Sequence, residues 1–114
     1  MAGECEYPVG FVVYAISDGD EFHKIGVAVN VEKRIKQLQT GNPRKLILSA
    51  FVRCKSQTQA YLIESAAKRS LAEFKAVGEW FRCSSFYALQ SLYEGASELG
   101  HNEEPVVVRI VTED

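Results

Sequence analysis

Apolar and polar positions alternate along the chain in strand-length and helix-length segments. Residues 10–16 are apolar, β-branched and aromatic, which is typical of a buried strand. Residues 17–20 contain Asp-Gly, which supplies the positive φ of a tight hairpin turn, and a second strand is predicted at residues 22–29. The same apolar, β-branched character predicts a third strand at residues 46–52 and a last strand at residues 105–112.

Two amphipathic helices are predicted between these strands. The first begins after the N-cap Asn30 and ends at residues 40–43, Thr-Gly-Asn-Pro, because glycine caps a helix and proline cannot continue it. The second begins at Ser56, which forms a capping box with Gln59, and continues to about Lys75.

A third helix follows a short extended segment. Gly78 breaks the chain before extended residues 79–82, and Ser84 or Ser85 caps a helix that ends near Gly100. The element order is therefore ββαβα(β)αβ. This order predicts an α+β fold in which a small antiparallel or mixed sheet is flanked by helices.

The composition is that of a single globular domain. The chain has 114 residues, 46% of them hydrophobic and 25% charged, so neither disorder nor two independent cores is expected. No apolar run reaches the roughly 20 residues that cross a bilayer, and the acidic N-terminus does not resemble a signal peptide. Cys5, Cys54 and Cys83 are scattered and lack the spacing of a zinc site, as do His23 and His101. These features predict a soluble cytoplasmic protein with reduced thiols.

The charge is distributed unevenly along the chain. The total is −2, but residues 24–55 carry eight Lys and Arg side chains against the single acid Glu32. This segment is +7, so the rest of the chain carries −9. One interpretation is a basic face suited to a polyanion, and the other is ordinary solvated charge on a helix and its loops.

Two charged residues lie beside the apolar stripes of the first two helices. Arg34 and Glu64 each fall about 60° from the centre of a stripe at ~100° per residue. A charge in such a position must be paired, hydrated in a cleft, or bound to a charged ligand. The alternatives are a structural Arg34–Glu64 ion pair, or a pocket where the carboxylate holds a metal and the arginine faces a phosphate.

Several of these segments resemble one family of nucleases. The strand pair carrying Val12-Val13-Tyr14 and Lys24-Ile25-Gly26, followed by an arginine-bearing helix, resembles the GIY-YIG nuclease superfamily. Lys-Ile-Gly-Val at 24–27, Arg-Ile-Lys-Gln-Leu-Gln-Thr-Gly-Asn-Pro at 34–43 and Gly-Glu-Trp-Phe at 78–81 are similar to its phage-type T5orf172/Mug113-like branch.

The resemblance also implies a division of the chain. It covers residues 9–85, which are assigned to the nuclease domain, after an N-terminal tail at residues 1–8. Residues 86–114 are expected to form a helix and a strand packed on the same domain. A phage-type protein of this kind would act in the cytoplasm of a bacterial cell, phage-infected or host.

The resemblance implies a metal-dependent DNA endonuclease with four catalytic positions. Glu64 would hold Mg²⁺ or Mn²⁺, and Arg34 would contact the phosphate through its bidentate fork. Tyr14 would accept the proton of the attacking water if Lys24 and Arg34 lowered its pKa, and Lys24 could itself orient the water or phosphate. A histidine of some members is Leu38 here, and the family's later asparagine has no assigned counterpart.

Four further basic residues are candidates for contacts with the DNA backbone: Lys33, Lys36, Arg44 and Lys45. Trp80 and Phe81 are interpreted as core anchors, with base stacking as the alternative. The chain leaves little sequence for a separate recognition module, so specificity is expected to be low or supplied by a protein partner.

Two other classes of function remain open. The chain could be a GIY-YIG-fold module that is catalytically weak or inactive and binds nucleic acid or a protein. It could also be an interaction protein whose C-terminal strand, residues 105–111, pairs across a homodimer.

Overall fold

A computed structural model of the chain describes residues 7–19, 21–101 and 105–108. Its strands and helices follow one another in the predicted order, which confirms the α+β class. The elements are β1 (Val9–Ser17), β2 (Phe22–Asn30), α1 (Val31–Gln39), β3 (Ile47–Arg53), α2 (Gln57–Ser70), a 3₁₀ turn (Ala72–Phe74), β4 (Trp80–Arg82), α3 (Ser85–Glu98) and β5 (Val106–Val107).

The strands form one antiparallel sheet in the order β4-β2-β1-β3-β5. The β1–β2 hairpin turns at Gly19, whose φ of +86° confirms the predicted Asp-Gly turn. Strand β4 pairs with β2 from Phe22 to Lys24 only. Within the described part of the chain, the outer edge of β2 is therefore left without a strand from Ile25 onward.

Helices cover both faces of the sheet. One face carries Val13 and Ile25 and packs against α2 and α3, where Ile63 and Leu92 are fully buried. The opposite face, which we call the α1 face, carries Val12, Tyr14 and Ile16 on β1 and packs against Val31 and Ile35 of α1. Because side chains alternate between the two faces of a strand, Tyr14 and helix α1, which carries Arg34, lie on the same side of the sheet.

Side-chain caps fix the starts of all three helices. The hydroxyl or amide oxygens of Asn30, Ser56 and Ser84 accept hydrogen bonds from the backbone N–H groups three residues on, at 2.9, 3.1 and 3.4 Å. The structure thereby selects Ser84 over Ser85 as the cap of α3. Helix α1 ends before Gly41, whose φ is +81°, as the Gly-Asn-Pro sequence predicted.

The second helix is shorter than predicted. It ends at Ser70 rather than near Lys75, because the backbone N–H of Leu71 donates to the carbonyl of Lys68 at 3.1 Å and tightens the last turn. The following 3₁₀ turn brings the half-buried ring of Phe74 against the core, and Lys75 is already extended and bridges to β4.

The C-terminal strand is also shorter in the described residues. Only Val106 and Val107 form a strand, and residues 109–112 of the predicted segment lie outside the described residues. These two valines pair with Ala50 and Phe51 of β3 in the same chain. The described part of the strand is thus the outer strand of the sheet on the β3 side, and its pairing across a homodimer stays a prediction.

Helices α2 and α3 approach each other at a glycine. A Cβ atom on Gly95 would lie 2.8 Å from the carbonyl oxygen of Ile63 and 3.3 Å from the backbone nitrogen of Ala67. Since the neighbouring atoms belong to the α2 backbone, a side chain at residue 95 could be accommodated only by moving one helix. Gly95 therefore sets the position of the α2 turn from which Glu64 projects.

His23 connects the hairpin to the start of α3. Its ring is fully buried, with Nδ1 3.0 Å from the Cys83 carbonyl oxygen and Nε2 3.1 Å from the Ser85 hydroxyl. A carbonyl can only accept, so Nδ1 donates and Nε2 accepts from the serine in a neutral imidazole. Burial lowers the pKa of His23, although the Cys83 carbonyl and the charge of Asp18 oppose this effect.

We expect His23 to make the protein less stable in acid. Its folded-state pKa lies below the unfolded value of about 6.5, so the free energy of unfolding should decrease as the pH falls below 6.5. The slope should approach, at most, about 1.4 kcal/mol per pH unit for this one proton. Urea unfolding between pH 7.5 and 5 should show this slope for the wild type and the matched control His101→Gln. A His23→Gln variant with an undiminished slope would contradict the assignment.

Two further features concern the length of the helices and the burial of the cysteines. None of the helices in the described ranges is both long and apolar enough to cross a membrane. Of the two cysteines in those ranges, Cys54 is half-buried and Cys83 is buried. Burial raises the pKa of the Cys83 thiol, which disfavours the reactive thiolate.

Candidate functional site

The hydroxyphenyl ring of Tyr14 lies across β2 at a position where β2 has no side chain. Tyr14 pairs in register with Gly26, and only 2% of its surface is exposed. A Cβ atom on Gly26 would lie 2.5 Å from Cζ of Tyr14 and closer still to the hydroxyl. Glycine at this position is therefore what allows the ring to extend over β2 toward its open edge.

Three charged side chains act on the Tyr14 hydroxyl, and they come from separate elements. Arg34 of α1 favours its ionisation, whereas Glu64 of α2 and Glu79, which precedes β4, oppose it. Burial is the largest influence, and the net effect raises the pKa of Tyr14 above its ordinary value of 10.0. The fold thus brings Tyr14, Arg34 and Glu64 into one electrostatic neighbourhood.

The net increase means that the condition under which Tyr14 would accept the proton is not met, although Arg34 by itself lowers this pKa as expected. Burial of the ring penalises the phenolate, and Lys24 is not among the groups that shift this pKa. The ammonium of Lys24 instead contacts the carboxylate of Glu79 at 2.7 Å. Tyr14 is consequently a neutral phenol at neutral pH.

Lys24 and Glu79 form an ion pair at the junction of β2 and β4. The Lys24 side chain is only 12% exposed, whereas that of Glu79 is 69% exposed. The hydrogen bond from Lys24, followed by its charge, lowers the pKa of the Glu79 carboxyl. Sequence reasoning did not select Glu79, because its role depends on the register that places Lys24 opposite Trp80.

Glu64 pairs with Lys68 and not with Arg34, so the first of the two alternatives, a structural Arg34–Glu64 ion pair, is not formed. Its carboxylate lies 3.2 Å from the ammonium of Lys68, one turn later on α2, and the Glu64 side chain is 18% exposed. This spacing of four residues is a recognised signal for a helical ion pair, and it was present in the sequence. Lys68 is therefore a second neighbour of the site that sequence reasoning missed.

Arg34 is exposed on α1 and forms no hydrogen bond or ion pair with the described residues. Together with Lys33 it borders a depression of about 190 Å³, whose floor includes Ala28, Asn30 and Gln37. A guanidinium that is exposed and unpaired in this way has its donors free to bind a phosphate or a carboxylate.

The four proposed backbone-contact residues lie on α1 and the turn that follows it. Lys33 and Lys45 are exposed, Lys36 is 3.7 Å from Glu32 one turn earlier, and Arg44 is 3.9 Å from Asp18. We call these four side chains the basic face: Lys33, Lys36, Arg44 and Lys45. The solvated i,i+4 pair contributes only about 0.3–0.5 kcal/mol and would yield readily to a phosphate.

The carboxylates near Tyr14 do not belong to a cluster of metal-binding side chains in the described part of the chain. Residues 7–19, 21–101 and 105–108 contain no group of three or more His, Cys, Asp or Glu side chains that could hold a metal. Glu64 alone suits Mg²⁺ or Mn²⁺, which binds through one or two carboxylates and keeps several waters.

Comparison with known proteins gives one finding. The family model described as the T5orf172 domain matches residues 11–98, which extend from within β1 to the end of α3. Neither the curated proteins nor the solved structures give a match. The T5orf172 family is associated with GIY-YIG-like endonuclease domains of phages. Since the match covers well over half of the sequence, the chain belongs to the T5orf172 domain family.

Proposed function

We propose that this protein is a metal-dependent endonuclease of the GIY-YIG type that hydrolyses DNA phosphodiester bonds. The observation that carries the proposal is the neighbourhood of Tyr14. Its phenol lies over Gly26 and within reach of the charges of Arg34 and Glu64, although the three side chains come from different elements. Membership of the T5orf172 family supports the same reaction class.

In this proposal each side chain has a distinct role. Arg34 binds a non-bridging phosphate oxygen through its guanidinium fork and stabilises the charge that develops there. The Tyr14 hydroxyl, which is neutral, accepts a hydrogen bond from the attacking water and orients it without taking its proton. Lys24 lies on β2 two residues before Gly26, the register partner of Tyr14. Held there by Glu79, it contributes a positive charge to the site.

Glu64 is the proposed ligand of Mg²⁺ or Mn²⁺. The ion, when bound, would polarise the phosphate and lower the pKa of a bound water. In its absence the ammonium of Lys68 neutralises the carboxylate, which would otherwise repel the approaching phosphate. Glu64 is thus expected to exchange its contact with Lys68 for one with the cation.

A second candidate is a binding module that does not cut. The raised pKa of Tyr14 and the neutralisation of Lys24 by Glu79 favour it, because both reduce the capacity of the site for acid–base chemistry. In that case the basic face would hold DNA through phosphate contacts, and a protein partner would supply any specificity.

The two candidates are separated by a direct assay. Duplex, single-stranded and branched DNA should be incubated with the protein in Mg²⁺, in Mn²⁺ and in EDTA. The endonuclease proposal predicts cleavage of at least one substrate with a metal and none in EDTA. Failure to cut every substrate with both metals, while binding persists, would instead support the binding module.

We expect the basic face to set the salt dependence of DNA binding. The slope of log K against log salt is negative, and removing one phosphate-binding side chain should reduce its magnitude by about 0.9 for duplex DNA. Lys33→Ala/Lys36→Ala and Arg44→Ala/Lys45→Ala should therefore each reduce the slope by up to about 1.8. Fluorescence anisotropy in EDTA measures this, with Lys55→Ala/Arg69→Ala as a control that removes the same charge elsewhere. Equal slopes for all three double variants would exclude the basic face from the interface.

A further inference from the structure

A cavity of about 280 Å³ opens at the hairpin end of the sheet. Three segments form its walls: the hairpin with Asp18 and Phe22, the turn at residues 42–44 after α1, and the segment from Val77 to Trp80 that leads into β4. This volume is just below the roughly 300–1,000 Å³ of most small-molecule sites, so it suits a single flat ring system.

The walls of the cavity are mainly apolar and contain two aromatic rings. Trp80 and Phe22 are half-buried, and Pro43 is exposed beside them. Trp80 therefore has a dual position, packed against the apolar cluster of the α1 face on one side and open to the cavity on the other. Phe81, in contrast, is buried and acts as the predicted core anchor. An accessible indole and phenyl ring provide stacking surfaces for a planar ligand.

The polar groups of the cavity are suited to a neutral heterocycle. The Asp18 side chain is only 9% exposed and its carboxylate lies 3.9 Å from the guanidinium of Arg44, which also lines the cavity, so these two charges offset each other. Asn42 uses its side-chain oxygen to accept from the backbone N–H of Arg44 at 3.0 Å. The amide nitrogen of Asn42 has no hydrogen-bond acceptor among the described residues, so it can donate to a ring nitrogen or carbonyl oxygen.

The cavity continues the α1 face, which carries Tyr14 and Lys24 of the proposed catalytic residues. Phe22, Lys24 and Gly26 alternate along β2 and therefore project from the same face, and Trp80 is the register partner of Lys24. At about 3.3 Å per residue, Phe22 is about 7 Å from Lys24 and about 13 Å from Gly26, where Tyr14 lies. A ligand in the cavity and a phosphate at Arg34 can thus belong to one strand.

We propose that this cavity binds one unpaired nucleobase of the DNA strand whose backbone contacts the α1 face. The inference rests on the proposed function for the identity of the polymer, and it adds the substrate class. A base inside a duplex is stacked and paired, so it cannot enter, whereas a base in a single strand, flap or mismatch can. The protein should therefore bind and act on DNA with unpaired nucleotides in preference to intact duplex.

Trp80 is the only tryptophan of the chain, so its fluorescence reports directly on the cavity. The experiment is performed in EDTA, where no cleavage occurs. Wild-type protein is titrated with a single-stranded oligonucleotide, with the same length of abasic strand, with the matched duplex and with a deoxynucleoside monophosphate. We expect the normal single strand to quench the fluorescence and to bind about 5-fold or more tightly than the abasic strand, as the absence of one stacked base predicts.

Variants at Trp80 test the same point without relying on fluorescence. Trp80→Leu retains an apolar side chain for the core but removes the flat ring, and it should weaken binding of a labelled single strand by about 5-fold or more. Trp80→Phe retains a ring and should bind within about 2-fold of the wild type. Circular dichroism establishes whether each variant is folded.

Three outcomes would overturn the proposal: equal binding of normal and abasic strands, tighter binding of the duplex, or equally strong binding of the free monophosphate. Because binding is measured without metal, these outcomes are independent of the cleavage assay. A protein that cuts DNA but does not distinguish abasic strands retains the nuclease function and loses the base cavity. If unpaired bases quench the Trp80 fluorescence but no DNA is cut, the base cavity is supported and the nuclease proposal is rejected.

Discussion

Glu64→Gln is expected to reduce metal-dependent cleavage by 100-fold or more while the protein remains folded. The substitution preserves the shape of the side chain but removes the charge that a hard divalent cation requires. A 100-fold reduction corresponds to about 2.7 kcal/mol in the activation free energy. Single-turnover cleavage with saturating protein measures it, and binding to DNA in EDTA should be unchanged or tighter because a negative charge has been removed.

The stability of this variant distinguishes a functional carboxylate from a structural one. Glu64 contacts Lys68 as a helical i,i+4 pair, which contributes about 0.3–0.5 kcal/mol. The melting temperature should therefore fall by less than about 4 °C. Glu98→Gln is a matched control, because Glu98 also forms a helical-surface ion pair, with Arg69 at 2.9 Å. Cleavage by Glu64→Gln at the rate of this control would contradict the assignment of Glu64 as the metal ligand.

Gly26→Ala is expected to affect stability and cleavage together. The added methyl group would overlap the buried Tyr14 ring, so either the ring or β2 must move. Overpacking of this kind typically costs about 1–3 kcal/mol of unfolding free energy. Because the displaced group is the proposed catalytic phenol, we also expect cleavage to fall by 10-fold or more, measured under conditions where the variant is fully folded.

A double-mutant cycle establishes whether the contact with Tyr14 causes the loss of stability in Gly26→Ala. In a Tyr14→Leu background the ring that opposes the new methyl group is absent, so the further cost of Gly26→Ala should decrease by about 1 kcal/mol or more. Urea unfolding of the four proteins supplies the coupling energy. Additive effects of the two substitutions would mean that Gly26 has another structural role and that the contact with Tyr14 is incidental.

The parts of the fold that the sequence predicted correctly depend on local physical chemistry. The Asp-Gly turn, the three N-caps and the Gly-Asn-Pro end of α1 each involve residues within a few positions of one another. The error arose where longer-range packing decides. The end of α2 is set by the docking of Phe74 on the core, and residues 109–112 of the predicted last strand lie outside the described residues.

The candidate site was predictable to a similar degree. Periodicity singled out Arg34 and Glu64 as charges beside apolar stripes, and the motif resemblance added Tyr14 and Lys24. The partners of these charges were not predicted, because Glu79 reaches Lys24 only through the β2–β4 register. The lowered pKa that Tyr14 would need as a proton acceptor is also not found, since burial of a ring is a property of the packed core and outweighs one neighbouring cation.

The contact at Gly95 makes the third helix a determinant of the site, although α3 contributes none of the proposed catalytic residues. Gly95 rests on the carbonyl of Ile63, so the backbone that precedes Glu64 is held at a fixed height above the sheet. A larger residue at position 95 would push α2 away from α3 and move the Glu64 carboxylate away from Tyr14. A fragment that ended at residue 85 would lack α3 and therefore the contact that positions α2. Transfer of the domain into another protein should for this reason retain the chain through Glu98.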